Sequence, residues 1–336
     1  MLIFVLQTVK AGTTILLAGS IEPGKTWVRG NVYTDASSSS PKKSTGQMLT
    51  TSRPSVLVNS TGHYYLFPPP TFQEYDVSNI INVKDVAAHP VAGDAATDDQ
   101  PNIQAIINDA AKNNKVVYFP YGIYLLGDTL TIPPGSRLFG EAFTQLSATG
   151  SKFKDAKNPR PMVEIGKPGD VGVAQMTDFV FTVNDILPGV NLVEVNMAGA
   201  KPGANGCWHC HFRIGGARGS KVWNNCANAK TCNTVRNAAV FKATASAYWE
   251  NTWAWSGDLD MDGSSSVLAA PAGGFLIESQ NGVWLLGSGI GMFSFNKSLM
   301  ELRISSNNPF LATRTSHAVP VEYQQSEERL HRPDGR

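Results

Sequence analysis

The sequence predicts an all-β chain wound as a parallel β-helix, with a capping helix near its N-terminal end. Three observations predict it. Short apolar or alternating runs recur from residue 116 onward, with no helix between them. Gly, Pro, Asn or Asp stands in nearly every gap. One amphipathic helix, at 99–112, precedes the series. Such strands stack as coils whose inward side chains form continuous ladders, and the open end of the stack needs a cover. A β-sandwich is the competing arrangement on composition alone.

Taken in order, "MLIFVLQTVKAGTTILLAGS" reads as a pair of strands rather than a signal peptide: it lacks a basic start, and Lys10 splits its apolar run. Residues 36–46 are polar and aperiodic, which predicts a surface loop or linker. The three prolines of "LFPPPTFQEY", Leu66 to Tyr75, force an extended bridge into the main body. Asp98 or Asp99 is placed to cap the helix and Pro101 falls in its first turn. Ile103, Ile106, Ile107 and Ala110 then follow at helical spacing, and Asn113-Asn114 ends it. The strand runs are "VVYFP" (116–120), "IYLL" (123–126), "TLTI" (129–132), "RLFG" (137–140), "MVEIG" (162–166), "FVFTV" (179–183) and "LVEVNM" (192–197). They continue through "AVFKATASAYWENTWAW" (239–255), "FLIES" (275–279) and "VWLLG" (283–287).

Composition narrows the function classes. Hydrophobic residues make up 42% of 336, enough for a sizeable core. Charged residues make up only 16%, against roughly 25% in ordinary globular chains. The net charge of +1 gives no field that would draw nucleic acid or an anionic membrane. No run approaches the roughly 18 apolar residues of a membrane span. One string raises a different possibility: "CWHCHFRIGG", Cys207 to Gly216, contains C-x-x-C-H, the attachment pattern of c-type haem.

Longer motifs supply the context. "GDAATDDQPNIQAIIN" followed by "KVVYFPYGIYLLGDTLTIPPGSRLFGE" resembles the opening of pectate-lyase-like right-handed β-helices. "VEIGKPGDVG" (163–172), "HFRIGG" (211–216), "SAYWENTWAWSGDLDMD" (246–262) and "FLIESQNGVWLLG" (275–287) resemble the second β-helix of glycoside hydrolase family 55. That family comprises exo-acting β-1,3-glucanases with two tandem β-helices. The resemblance implies three regions: 1–79, a remnant of a preceding β-helix plus linker; 80–290, a pectate-lyase-like domain; and 291–336, a divergent, poorly ordered tail. The tail holds 11 charged residues in 46. The resemblance further implies an extracellular, fungal-type monomer that inverts β-1,3-glucan or a related polysaccharide on hydrolysis. It implies no cofactor, no metal, no nucleic acid and no membrane.

Within this context the haem string reads as two substitutions inside a β-helix coil. Strand alternation places Cys207 and Cys210 on opposite faces, which opposes both haem attachment and a Cys/His zinc site. Both are expected to be buried or semi-buried thiols. Cys226 and Cys232 lie in a short loop where the family also carries cysteines, and a disulfide between them is expected.

Inverting glycosidases need two carboxyl groups roughly 6.5–9.5 Å apart. The resemblance places the family's glutamates in a V-E-H segment after the W-L-x-G strand and in a Q-T-E-T-P-Y segment. Here the match runs to Ile290 and stops; no glutamate follows directly, and Q-T-E-T-P-Y is absent. Glu278 is the remaining catalytic candidate. Trp253 and Trp255, two apart on one strand face, are candidates for stacking on sugar rings, with coil packing as the alternative. Asp258 and Asp260 are candidates to bind hydroxyls, with a solvated turn as the alternative. His211 and Arg213 are expected to line the coil face. A non-catalytic β-glucan binder or degenerate fragment, and a polysaccharide lyase, are the rival functions.

Overall fold

The computed structural model describes residues 27–32, 42–48, 55–226, 232–256, 261–262, 273–292, 302–304 and 310–312. The strands expected within 1–20 lie outside them. Each coil supplies one strand to each of three parallel ladders. The first ladder passes through Val116–Phe119, the starts of Ser136–Ala148 and Ala174–Val183, then Asn205–Trp208, Ala247–Glu250 and Val283–Leu286. The second passes through Ile123–Leu126, the ends of those two long strands, His211–Ile214, Trp253–Ser256 and Gly289–Met292. The third passes through Leu130–Ile132, Arg160–Ile165, Val190–Val195, Asn237–Phe241 and Phe275–Ile277. This is a parallel β-helix. Within the stretch expected to be a divergent, poorly ordered tail, Leu302–Ile304 and Phe310–Ala312 pair parallel with the third and first ladders. The remainder of the tail lies outside the described residues.

Inward side chains from the three ladders meet along the axis. Phe181 stacks on Phe212 at 5.0 Å between ring centroids, and Phe212 touches both Trp249 (5.7 Å) and Phe275 (5.6 Å). All four are buried. Such aromatic contacts hold successive coils in register as well as excluding water.

The open N-terminal end is closed by helix α1, Gln100–Lys112, which buries Ile103, Ile106, Ile107 and Ala110. Asp99 stands at its N-cap, but its carboxylate does not cap the helix. It is buried and accepts from the N–H groups of Ala92 (2.7 Å) and Gly93 (2.8 Å). Burial raises its pKa, partly opposed by those two hydrogen bonds. Asp98 accepts from the Gln100 N–H (3.2 Å) and from Gly127 on the next coil (2.9 Å). The acidic motif thus fastens the cap to the first coils.

The polar tract differs from expectation. Lys42–Met48 is a strand paired antiparallel with Trp27–Val32. Backbone pairing needs no apolar alternation when Thr45 to Met48 are left exposed. Residues 55–67 form a strap across the outside of the first ladder. Trp284 Nε1 donates to the Leu57 carbonyl (3.1 Å) and Trp208 Nε1 to that of Phe67 (3.3 Å). The Phe67 N–H donates to the Tyr248 hydroxyl (3.0 Å).

The turn between the first and second ladders corrects the reading of the cysteines. Asp178, His209, Asn251 and Gly287 occupy equivalent positions in successive coils, with φ of 63°, 54°, 50° and 57°. A left-handed residue resets the in-out alternation of the chain. Cys207 therefore points inward before the bend and Cys210 inward after it. Both are buried and bonded to each other across a Cα–Cα distance of 6.0 Å. Cys207 and Cys210 are not thiols on opposite faces, and neither sulfur is available to a porphyrin. Cys226 and Cys232 are also bonded, at 5.5 Å. The protein unfolded without reductant should expose no thiol to a colorimetric reagent, and all four after reduction. Two thiols before reduction, mapped by alkylation to the peptide holding Cys207 and Cys210, would return that pair to the free state. Replacing Cys207 and Cys210 by Ala should cost about 2 kcal/mol of stability, given the short loop they close.

Candidate functional site

The bend that turns Cys210 inward turns His211 outward. From there alternation leaves Phe212 and Ile214 in the core and His211 and Arg213 on the outer face. One coil on, Ala254 and Ser256 are buried while Trp253 and Trp255 face out. The strands are in register, so His211 lies beside Trp253 and Arg213 beside Trp255. The second ladder thereby forms the floor of a cleft of about 670 Å³. The bend residues Asp178 and His209, with Tyr121, stand on one side, and Ala217, Arg218 and Met261 come from the loops that follow the floor strands.

Within it the His211 and Trp255 rings lie 5.9 Å apart at 61°, and the Arg213 guanidinium sits 6.0 Å from the centre of the Trp255 ring. The indole touches both a cation and an imidazole of the preceding coil, which steadies its plane for stacking on a ligand. Asp178 Oδ1 lies 3.4 Å from His209 Nδ1, and Asp178 also accepts from the Thr177 hydroxyl at 2.7 Å. Among the described residues lining the cleft, Asp178 is the one carboxylate. The loop wall is tied by the Gly219 N–H, which donates to Asp262.

Trp253 and Glu278 lie elsewhere. Trp253 shares the outward face but does not line the cleft. Its Nε1 donates to Asn251 Oδ1 at 2.9 Å, and its ring lies against Gly289, where a Cβ would come within 2.5 Å of it. Glu278 follows the third-ladder strand Phe275–Ile277 and pairs with Lys242 at 3.3 Å. It is therefore not a wall of this cleft, and Asp178 stands there instead. Asp258 and Asp260 lie outside the described residues. Sequence reading missed Asp178, His209, Tyr121, Arg218 and Gln145. The left-handed bend that presents the first two is signalled by glycine only at Gly287.

With the geometry described, comparison with known proteins gives a consistent result. A family model described as "Rhamnogalacturonase A/epimerase, pectate lyase-like" matches residues 80–158. A glucan 1,3-beta-glucosidase of Cochliobolus carbonum is 34% identical over 84% of this chain and 36% of its own length. A probable glucan endo-1,3-beta-glucosidase of Arthroderma benhamiae is 36% identical over 70% of this chain and 28% of its own. A protein of Penicillium expansum named non-secreted LysM effector LysM15 is 35% identical over 82% of this chain and 20% of its own. The chain thus spans little more than a third, or less, of these curated relatives. Fold and matches together define a pectate-lyase-like β-helix protein. Within that class it belongs to the family of the fungal glucan 1,3-β-glucosidases, as the resemblance to glycoside hydrolase family 55 implied.

Burial pushes the His211 pKa below its ordinary value of 6.5; His209 lowers it further and Asp178 acts the other way. The folded protein thus resists a proton that the unfolded chain accepts. The sign follows: His211 costs no stability above about pH 6.5, and stability falls as pH drops below that value toward the lowered folded pKa. Denaturant titrations of His211→Gln should show a shallower acid-side loss than wild type, with the curves parallel above pH 6.5. An unchanged acid limb would assign the loss to another group.

Proposed function

We propose that the protein is a secreted β-1,3-glucan-active member of its family, which binds glucan on the second-ladder cleft and hydrolyses it poorly. The observation that carries the reading is the position of Gly291. It follows Ile290, where the family resemblance puts the V-E-H glutamate. Its register partner is Trp255, and that of Trp255 is Arg213. A glutamate at this position would stand in the row that holds the cation and the aromatic platform of the cleft; glycine supplies no acid.

Hydrolysis with inversion needs an acid for the leaving oxygen and a base for water. Asp178 could serve as one member of such a pair, although it already pairs with His209. Losing a general acid alone costs about 10²–10⁴-fold in rate. A non-catalytic glucan-binding role is the second reading. The missing carboxylate favours it, and so does the similarity to a relative named as an effector rather than an enzyme.

Glucose release from laminarin separates these readings. Wild type and Glu278→Gln should both release little above background, while both sediment with insoluble β-1,3-glucan. Trp255→Ala should weaken that binding about tenfold, a little over 1 kcal/mol of ring contact. Gly291→Glu should raise glucose release while leaving binding in place. Robust wild-type turnover that vanishes in Glu278→Gln would move the catalytic centre to the third ladder and overturn the assignment.

A further inference from the structure

The outer floor of the second ladder carries a polar group that packing does not explain. Gln145 lies in register between Ile123 on the preceding coil and Val180 on the next, and His211 follows Val180. Its neighbours in this row are apolar, and a leucine would extend them. Yet the residue is glutamine, 5% exposed, lining the cleft, and its Oε1 has no hydrogen-bond partner. Two further polar atoms on the same ladder share that condition, of which His211 Nδ1 belongs to a residue that lines the cleft and Thr182 Oγ1 does not. Thr182 Oγ1 is buried one row across, and His211 Nδ1 is buried two coils along. Leaving a buried acceptor unpaired costs about 1–3 kcal/mol, so an amide kept here works against the stability of the free protein.

We infer that Gln145, with His211, forms a hydroxyl-reading subsite for a neutral pyranose, at the far end of the cleft from Trp255. The argument for that ligand class is chemical. A carbonyl oxygen only accepts, so the ligand must donate. Val180 and the flanking rings of Tyr121 and Trp255 supply apolar surface beside the polar atoms. A ring bearing hydroxyls on its rim and C–H groups on its faces satisfies both. Coils repeat at about 4.8 Å, which puts Gln145 about 10 Å from His211 and about 14 Å from the coil of Trp255. The cleft therefore spans more than one sugar ring, and its volume of about 670 Å³ lies in the range of pockets that enclose such ligands. The choice of a β-1,3-linked glucan as occupant rests on the function proposed above; the subsite itself does not.

The test is calorimetric titration of the full chain with laminaritriose and, in parallel, with maltotriose and mannotriose. Gln145→Leu should weaken laminaritriose binding ten- to a hundredfold. The same variant should melt at or above the wild-type temperature, because an unpaired buried amide has been removed. A structural role would do the reverse, lowering the melting temperature. Gln145→Glu, which keeps the acceptor, should retain binding within a few-fold, and Lys242→Ala on the third ladder should change nothing. Equal laminaritriose affinity in wild type and Gln145→Leu would overturn the subsite and leave the glucan reading standing. Gln145-dependent binding of another trisaccharide, without laminaritriose binding, would uphold the subsite and overturn the glucan reading. Binding of none of the three would overturn both.

Discussion

A left-handed residue at the corner between the first and second ladders, repeated at Asp178, His209, Asn251 and Gly287, decides which side chains face the core and which face the cleft. A non-glycine residue in that region costs about 1 kcal/mol or more, so three of the four are held there against their own preference. The ladder compensates. The N–H of His209 donates to the Glu250 carbonyl (3.0 Å), and that of Asn251 to the Leu286 carbonyl (2.8 Å). The residue after each bend, Phe179, Cys210, Thr252 or Ser288, is buried. Thr252 and Ser288 satisfy their hydroxyls on the carbonyl two residues back, at 3.5 and 3.2 Å. Cys210 occupies the same niche with a disulfide instead of a hydroxyl. Remove the bend, and His211, Arg213 and Trp255 would exchange places with the core residues beside them.

The strands themselves are legible because they are short, almost wholly buried apolar runs set off by turn residues. The runs at 116–119, 123–126 and 283–286 can be read without a structure, and the capping helix can be read from Ile103, Ile106 and Ile107. What fails is phase across a corner. Cys207 and Cys210 are three apart, and unbroken alternation sends them to opposite faces; one left-handed histidine between them reverses that. Asp99 fails for a different reason. It sits at the N-cap, but a buried carboxylate there is better used on the Ala92 and Gly93 N–H groups than on a helix end with access to solvent.

The same division runs through the cleft. His211, Arg213 and Trp255 are accessible to sequence reasoning because they sit on alternating strands within recognisable motifs. Gln145 is not, because nothing in its own segment distinguishes an outward glutamine on a covered floor from one in solvent. Asp178 and His209 meet only because their coils are adjacent. Glu278 shows the converse: a carboxylate close in sequence to the cleft strands belongs to the third ladder and is engaged by Lys242.

A solenoid built of identical neighbour contacts behaves as a one-dimensional stack, whose end coils can peel away without disturbing those further in. The strap of residues 55–67 changes that for one stretch. Trp208, Tyr248 and Trp284 belong to three successive coils, and each holds the same short segment by a hydrogen bond to its backbone. The segment runs across the stack like a splint laid over several ribs. A coil in this stretch cannot unwind without first releasing its neighbours from the splint. The coils under the strap therefore unfold as a block, and that block carries His211, Arg213 and Trp255.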